Sequence, residues 1–296
     1  MKVHYGFESI SQIKKPVVTT GSFDGVHVGH RVILKRLNTI AHKNNGESVL
    51  ITFHPHPRKV LFPEKSKDLF LINSQIEKKY LLESVQIDHV IIVEFTKEFS
   101  EISSQEFVQD YLIKKLNSHT IIVGFNHHFG HNRMGDYNYL YELSKKMNFA
   151  VEEIPMQDIE NEAVSSTRIR KAIKEGHIGR ANAYLDHPYF IIGKTKPVNE
   201  KHLTNRISTE IIIDEDIKML PPAGRYAAKL ISNNYSLNTL CEINNRRVLI
   251  YLNCELDIFK NQPVYLELHK TIRLFKNDNN LSTFDADKIE IEELIY

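Results

Sequence analysis

Two histidines three residues apart, His27 and His30, close a run that carries glycines at Gly21, Gly25 and Gly29. The run is PVVTTGSFDGVHVGHR, residues 16–31. Pro16 to Thr20 is short, apolar and β-branched, which predicts a buried strand. The glycines permit a sharp turn and a close approach of backbone to a ligand. From His30 onward Val32, Ile33, Leu37 and Ile40 fall at helical spacing, so a helix is expected to start there. A helix that begins behind such a turn offers unpaired N–H groups and the positive end of its dipole to phosphate. Both imidazoles can face one pocket, where donor or cationic rings suit a phosphate that gains negative charge in a transition state. The plainer alternative is a structural turn in which the histidines are incidental.

Three further stretches carry candidate chemistry. TFHPHPRKVLFP, residues 52–63, sets prolines directly after His54 and His56, which predicts an extended, non-helical loop with a basic surface from Arg58 and Lys59. Standing alone, it would be read first as a proline-rich surface loop with solvated charge. VGFNHHFGHNRMGD, residues 123–136, ends a β-run and opens into a histidine-rich polar loop; Asp136 is a candidate N-cap for the next helix. AVSSTRIRKAI, residues 163–173, puts three hydroxyls before an amphipathic helix bearing Ile169, Ala172 and Ile173. Those hydroxyls suit an ordinary N-cap, and they also suit a second phosphate-facing N-terminus with Arg170 as a charge clamp. The histidines lack the carboxylate or cysteine partners of a metal site, so no protein metal site is expected.

These residues must be held by something. Strand-like runs at Glu47–Phe53, Asp88–Phe95, His119–Gly124 and Phe149–Ile154 alternate with helix-like runs at Ser74–Val85, with Ile76, Tyr80 and Leu81 as one face, and at Ser103–Leu116 behind a Ser103/Glu106 capping box. The alternation predicts a doubly wound parallel α/β sheet, which binds ligands beyond the C-terminal ends of its strands. Each of the stretches above follows a predicted strand. Beyond Tyr184 the pattern changes to short strand-like runs, PYFIIG, EIIID, GRYAAKLI, RRVLIYL and PVYLEL, with turns between them. A small antiparallel barrel or sandwich is expected there, closed by a helix near residues 286–295. Two domains, 1–184 and 185–296, follow from this change and from the 296-residue length.

The combination G-x-F-D-G-x-H-x-G-H resembles the signature of the HxGH nucleotidylyltransferases, and more narrowly of the bacterial FAD synthetases, which join an FMN adenylyltransferase to a riboflavin kinase. The resemblance extends to Phe53–Pro57, to Gly124, Asn126, Phe129, Gly130, Gly135 and Asp136, and to Ser166, Thr167 and Arg170. It implies His27, His30 and Arg170 as catalytic residues. It implies ATP contacts at Gly21, Phe23, Asp24, Gly25, Gly29, Ser166 and Thr167. Flavin contacts are implied at Pro55, His56, Pro57, Asn126 and Phe129. His127 and His128 depart from the family pattern, which usually has an aromatic residue and then a small or basic one. Mg²⁺ is implied with ATP, and FMN and FAD as substrate and product, with riboflavin a further candidate ligand.

The second half resembles the family's riboflavin kinase in element order and in LPPAGRYAA, residues 220–228. Its chemistry does not follow. The family's Gly-x-Pro-Thr-Ala-Asn segment becomes Ile207, Ser208, Thr209 and Glu210, and the preceding loop, NEKHLTNR at 199–206, has no glycine. Val248 stands where the family has its catalytic glutamate, and the linker between the last strands is shortened. A valine cannot accept the riboflavin hydroxyl proton; Glu242 or Glu255 would have to substitute. The expectation is an FMN adenylyltransferase with an inactive kinase-like barrel. Alternatives are a fully bifunctional enzyme, a nucleotidylyltransferase with another phosphorylated acceptor, and a non-catalytic flavin- or nucleotide-binding regulator.

Composition bounds the rest. A net charge of +1 gives no general attraction to nucleic acid or membrane. No run is long and apolar enough to span a bilayer, and MKVHYGFESI lacks the apolar core of a leader. Cys241 and Cys254 are expected to be core thiols rather than a disulfide framework. The expected compartment is the cytoplasm, and the expected partners are small molecules, with a homo-oligomer left open.

Overall fold

The computed structural model describes residues 1–10, 12–125, 127–155, 158–159, 162–198, 207–232, 235–252 and 263–275. The chain divides into two compact units: Met1–Leu69 with Lys78–Val164, and Phe70–Glu77 with Ser165–Tyr296.

The first unit is a six-stranded parallel sheet. Its strands are β1 (Lys2–Tyr5), β2 (Val17–Thr20), β3 (Ser48–His54), β4 (His89–Glu94), β5 (Thr120–Gly124) and β6 (Ala150–Ile154). The spatial order is β1-β4-β3-β2-β5-β6. The chain runs outward from β2 through β3 to β4, then returns to place β5 on the other side of β2. The order therefore reverses between β2 and β5, and the crevice at such a reversal is where doubly wound sheets bind ligands. Sheet residues Val18, Val49, Ile51, Ile91 and Val123 pack with Phe107, Leu112 and Leu140 from the helical layer. Each such buried side chain contributes about 1.5–3 kcal/mol.

The helices are α1 (Val28–Lys43), α2 (Pro57–Leu61), α3 (Gln75–Ser84), α4 (Lys97–Ser100), α5 (Ser104–Glu106), α6 (Tyr137–Met147), α7 (Ser166–Lys174) and α8 (Ile178–Leu185). Ser103 caps α5 by accepting from the Glu106 N–H at 3.1 Å, and the helix runs on from Phe107 to Lys115 with π-type spacing. Among the described residues no helix is long and apolar enough to cross a membrane.

Four local expectations are corrected. Helix α1 starts at Val28, ahead of His30, and buries Leu34, Leu37, Ile40 and Ala41 rather than Val32 and Ile33. The loop after β3 is not extended throughout: α2 begins at Pro57. Proline suits the first helical position, because its missing N–H would have had no partner there. On α3, Ile76 and Tyr80 face solvent while Glu77, Lys78, Leu81 and Leu82 are buried. Specific partners for Glu77 and Lys78, given below, override the apolar periodicity. Strand β1 was not expected; it adds an edge to the sheet beside β4.

The second unit contains a closed antiparallel barrel in the order β10-β13-β12-β11-β14-β9. Its strands are β9 (Tyr189–Val198), β10 (Ile207–Ile212), β11 (Gly224–Ser232), β12 (Tyr235–Asn244), β13 (Arg247–Leu252) and β14 (Pro263–Leu274). A short hairpin of β7 (Asp158–Ile159) and β8 (Glu162–Ala163) precedes α7. Cys241 is fully buried on β12, and burial, with help from Glu242, pushes its thiol well up. Cys254 and the helix expected near 286–295 lie outside the described residues.

Candidate active site

The turn between β2 and α1 is built by exclusion of side chains. Gly25 has φ +93°, and Phe23 and Val26 also adopt left-handed values of 46° and 40°. Gly21 and Gly29 are needed for space instead. A Cβ on Gly21 would lie 3.0 Å from the Phe23 ring, and one on Gly29 3.3 Å from the His27 ring. Phe23, Asp24, Val26 and His27 are all buried. The turn is therefore a packed structure.

His27 is the N-cap of α1. Its Nδ1 accepts from the His30 N–H at 3.4 Å, so a neutral His27 carries its proton on Nε2. The His27 and His30 rings stack with centroids 3.7 Å apart and planes 18° apart, and Phe23 lies 4.6 Å from His30. Burial, then the neighbouring charges of His27 and Lys78, hold the His30 imidazole well below its ordinary value. His30 Nδ1 is buried with no hydrogen-bond partner among the described residues. A buried polar atom left so is costly unless a ligand or water completes it.

The first unit brings three of the four stretches to the C-terminal ends of its central strands. The Gly21 N–H donates to the Ile51 carbonyl at 3.0 Å and Thr52 Oγ1 to the Ser22 carbonyl at 3.3 Å, joining the turn to β3. Thr20 Oγ1 and His127 Nε2 lie 3.4 Å apart, joining it to the loop after β5. A Cβ on Gly124 would meet Ile33 of α1 at 2.9 Å. Burial, then His128 and Arg133, push His127 down to about 4.

In the loop after β5, Phe129 and Gly135 exchange backbone hydrogen bonds of 3.0 Å each, and the Gly135 α-carbon faces the Phe129 ring. Phe129 packs against Phe107 and Tyr139 with centroids 6.0 and 6.4 Å away, which makes it a supported apolar wall. Asp136 caps α6 by accepting from the Tyr139 N–H at 2.8 Å, so the plain reading of that residue holds. Asn126 lies outside the described residues. After β3, Pro55 is exposed, His56 is buried, and His56 Nδ1 caps α2 by accepting from the Arg58 N–H at 3.2 Å.

Ser166, Thr167 and Arg170 lie on α7 in the second unit, where Ser165 caps the helix from 3.4 Å and Ile169, Ala172 and Ile173 form its buried face. Two features of the site escaped sequence reasoning: Lys78, which donates to the Ser22 carbonyl at 2.9 Å, and the Thr20–His127 pair. Nothing near Lys78 in sequence marks it. His127 was visible only as a departure from a pattern.

In the barrel, the positions expected to matter for kinase chemistry are occupied by structural contacts. Val248 is fully buried on β13, opposite Ile243. Thr209 Oγ1 donates to the Lys196 carbonyl at 2.9 Å. Glu210 pairs with Arg247 and Glu242 with the buried Arg225, each at 3.2 Å. The 199–206 loop, Glu255 and the shortened linker lie outside the described residues. No group of three His, Cys, Asp or Glu side chains suited to a metal ion occurs among the described residues.

A family model described as FAD synthetase matches residues 9–168. A bifunctional riboflavin kinase/FMN adenylyltransferase of Buchnera aphidicola from Schizaphis graminum is 38% identical, over 66% of this chain and 62% of its own length. The enzyme of the same name from Bacillus subtilis is 30% identical over 95% of this chain and 92% of its own. A crystal structure from Streptococcus pneumoniae, described as a macrolide-efflux protein, superposes with a TM-score of 0.83 at 21% identity, covering 99% of this chain and 97% of that one. At that identity it speaks for the fold alone.

Proposed function

This chain belongs to the FAD synthetase family, and from that premise we propose that it transfers the adenylyl group of ATP to FMN, giving FAD and pyrophosphate. The adenylyltransferase domain is taken as residues 1–184 and the kinase-like barrel as 185–296, with the kinase activity lost. The observation that carries the reading is the His27–His30 stack at the α1 N-terminus, with His30 Nδ1 buried and unpartnered beside a strained turn at the sheet's point of reversal.

The chemistry asks little of the protein beyond position and charge. An FMN phosphate oxygen attacks the α-phosphorus of ATP, a new P–O bond forms, and the bond to the β-phosphate oxygen breaks as pyrophosphate leaves. The nucleophile is already anionic, so no side-chain base is required. His27 Nε2–H, His30 and the free N–H groups of α1 donate to the phosphates as charge builds. The small side of the turn at Gly21, Gly25 and Gly29, with Phe23 and Asp24, accommodates the nucleotide. The family resemblance assigns phosphate contacts to Ser166 and Thr167, at the first turn of α7, and to Arg170. Pro55, His56, Pro57 and Phe129 line the flavin side, with Phe129 as its wall, and the family resemblance adds Asn126 as a flavin contact.

Mg²⁺ enters as the magnesium complex of ATP. The donor set fits this: among the described residues no three His, Cys, Asp or Glu side chains cluster to hold a metal ion, and Mg²⁺ commonly keeps phosphate oxygens and water as ligands. ATP and FMN as substrates support the cytoplasm as the compartment.

The lost kinase is supported by Val248, which has no proton-accepting group, and by Glu210 and Glu242, whose carboxylates are held by Arg247 and Arg225. The test is an FAD-formation assay with ATP and Mg²⁺, giving FMN in one reaction and riboflavin in another. FAD from FMN alone is expected. FMN from riboflavin, at a rate untouched by His27→Ala, overturns the inactive barrel. No product from FMN with folded protein overturns the acceptor, and a panel of other phosphorylated acceptors then decides. Absence of any ATP turnover leaves the binding regulator.

A further inference from the structure

We propose that Lys78 is a positioning residue of the phosphate turn: its buried ammonium holds the Ser22 carbonyl and so fixes the backbone that aims His27, His30 and the α1 N-terminus at ATP. The inference rests on the adenylyl-transfer reading of this turn.

Lys78 is 4% exposed, on α3, and its Nζ donates to the Ser22 carbonyl oxygen at 2.9 Å. An ammonium so buried is costly unless hydrogen-bonded, and a charge-assisted bond is the stronger kind. Ser22 sits at the start of the strained part of the turn, immediately before Phe23 at φ 46°, with Gly25 and Val26 following at 93° and 40°. Backbone held in sparsely populated regions persists only where the surroundings over-determine it. The Ser22 carbonyl meets that need with two donors on one oxygen, Thr52 Oγ1 at 3.3 Å and Lys78 Nζ. The first comes from the sheet and the second from a helix, so the turn is gripped from two elements.

Lys78 has a second effect on the same site. The charged groups acting on His30 are His27, from the turn, and Lys78, from α3. Both disfavour a proton on His30 while the site holds no anion. Arriving phosphate charge offsets that repulsion and so favours a proton on His30 where phosphate is present to receive it.

Three substitutions separate the parts: Lys78→Met removes donor and charge, Lys78→Gln keeps a neutral donor, and Lys78→Arg keeps the charge. In ligand-free protein, an NMR titration of the His30 ring proton, assigned by its loss in His30→Gln, is expected to show a higher pKa in Lys78→Met and Lys78→Gln. Lys78→Arg should titrate as the wild type. In the FAD-formation assay, KM for ATP is expected to rise about tenfold to a hundredfold in Lys78→Met, the value of one charge-assisted hydrogen bond. Lys78→Arg should restore most of it. If Lys78→Met does not fold, Lys78→Gln carries the titration arm. An unchanged His30 titration together with an unchanged KM for ATP overturns the proposal. A shifted His30 in a protein that makes no FAD sustains Lys78 as the holder of the turn and removes the adenylyl-transfer reading instead.

Discussion

Lys218→Met is expected to destabilise the second unit by about 3–5 kcal/mol, the cost of leaving one member of a buried ion pair alone. Lys218 and Glu77 are both fully buried. Lys218 Nζ donates to Glu77 Oε2 at 2.6 Å, to the Ile72 carbonyl at 2.7 Å and to the Phe190 carbonyl at 2.9 Å, and it lies 4.2 Å above the Tyr189 ring. Glu77 in turn accepts from the Ser74 N–H at 2.9 Å and the Ile192 N–H at 3.0 Å. Methionine fills most of the lysine's volume but leaves a carboxylate without its cation and takes one donor from each of two carbonyls. The decisive perturbation is the second one. Glu77→Gln alone should destabilise, because it removes the pair's anion and one acceptor for the Ser74 or Ile192 N–H. In the Lys218→Met background the same change should stabilise, because it removes the uncompensated charge. The coupling expected from such a sign reversal lies at the upper end of about 0.5–3 kcal/mol. With no tryptophan and 13 tyrosines in the chain, urea unfolding followed by tyrosine fluorescence and far-UV circular dichroism suits the measurement. Hydrogen exchange at the β9 amides Phe190–Ile192 localises it to the barrel unit. Glu77→Gln lowering stability equally in both backgrounds would refute the reasoning, since the carboxylate would then not depend on Lys218.

His27→Asn should keep the α1 cap, because asparagine is itself a good N-cap, yet lower kcat for FAD formation about 10²–10³-fold through loss of the imidazole donor; equal activity at equal melting temperature refutes the role. Gly135→Ala puts a Cβ 2.6 Å from the Phe129 ring, so the ring must move, and KM for FMN should rise while KM for ATP stays. His127 titrates at about 4 in the folded chain against an ordinary 6.5, so below 6.5 the unfolded state binds a proton that the native state does not. The associated stability is complete above 6.5 and is lost as the pH falls toward 4, and His127→Phe should flatten the urea midpoint over that interval.

The site and the barrel differ in how much of them the sequence exposes. The β2–α1 turn is legible because its demands are local: Gly25 for a left-handed φ, Gly21 and Gly29 for ring clearance, and two histidines one helical turn apart. Strands β2 to β5 are legible because a strand buried inside a parallel sheet is apolar along most of its length. Helix α3 is the counter-example. Its apolar spacing points to Ile76 and Tyr80, but the face it buries carries Glu77 and Lys78. Their partners, Lys218 and the Ser22 carbonyl, lie 141 and 56 residues away in sequence, so no local pattern announces them. Strand β12 is legible only around Cys241: its first half, Tyr235 to Asn238, is mostly exposed and reads as a polar loop, while Thr239 to Cys241 are buried together.

The barrel's persistence without kinase residues has a physical account in the same contacts. Once the proton acceptor at position 248 is a valine, nothing in catalysis requires Glu210 or Glu242 to keep a free carboxylate. Both are committed to arginines, and one of those, Arg225, is buried at 2% exposure. Thr209 is likewise turned to a backbone carbonyl. A barrel freed from chemistry is free to satisfy its polar groups internally, and each satisfied group makes a return to catalysis harder. Val248→Glu alone is therefore expected to yield no riboflavin phosphorylation. It should also destabilise the barrel, because position 248 is fully buried opposite Ile243 and a carboxylate there loses its water. Measured kinase activity in that variant would mean that the nucleotide and riboflavin sites had survived intact and that a single side chain had been lost.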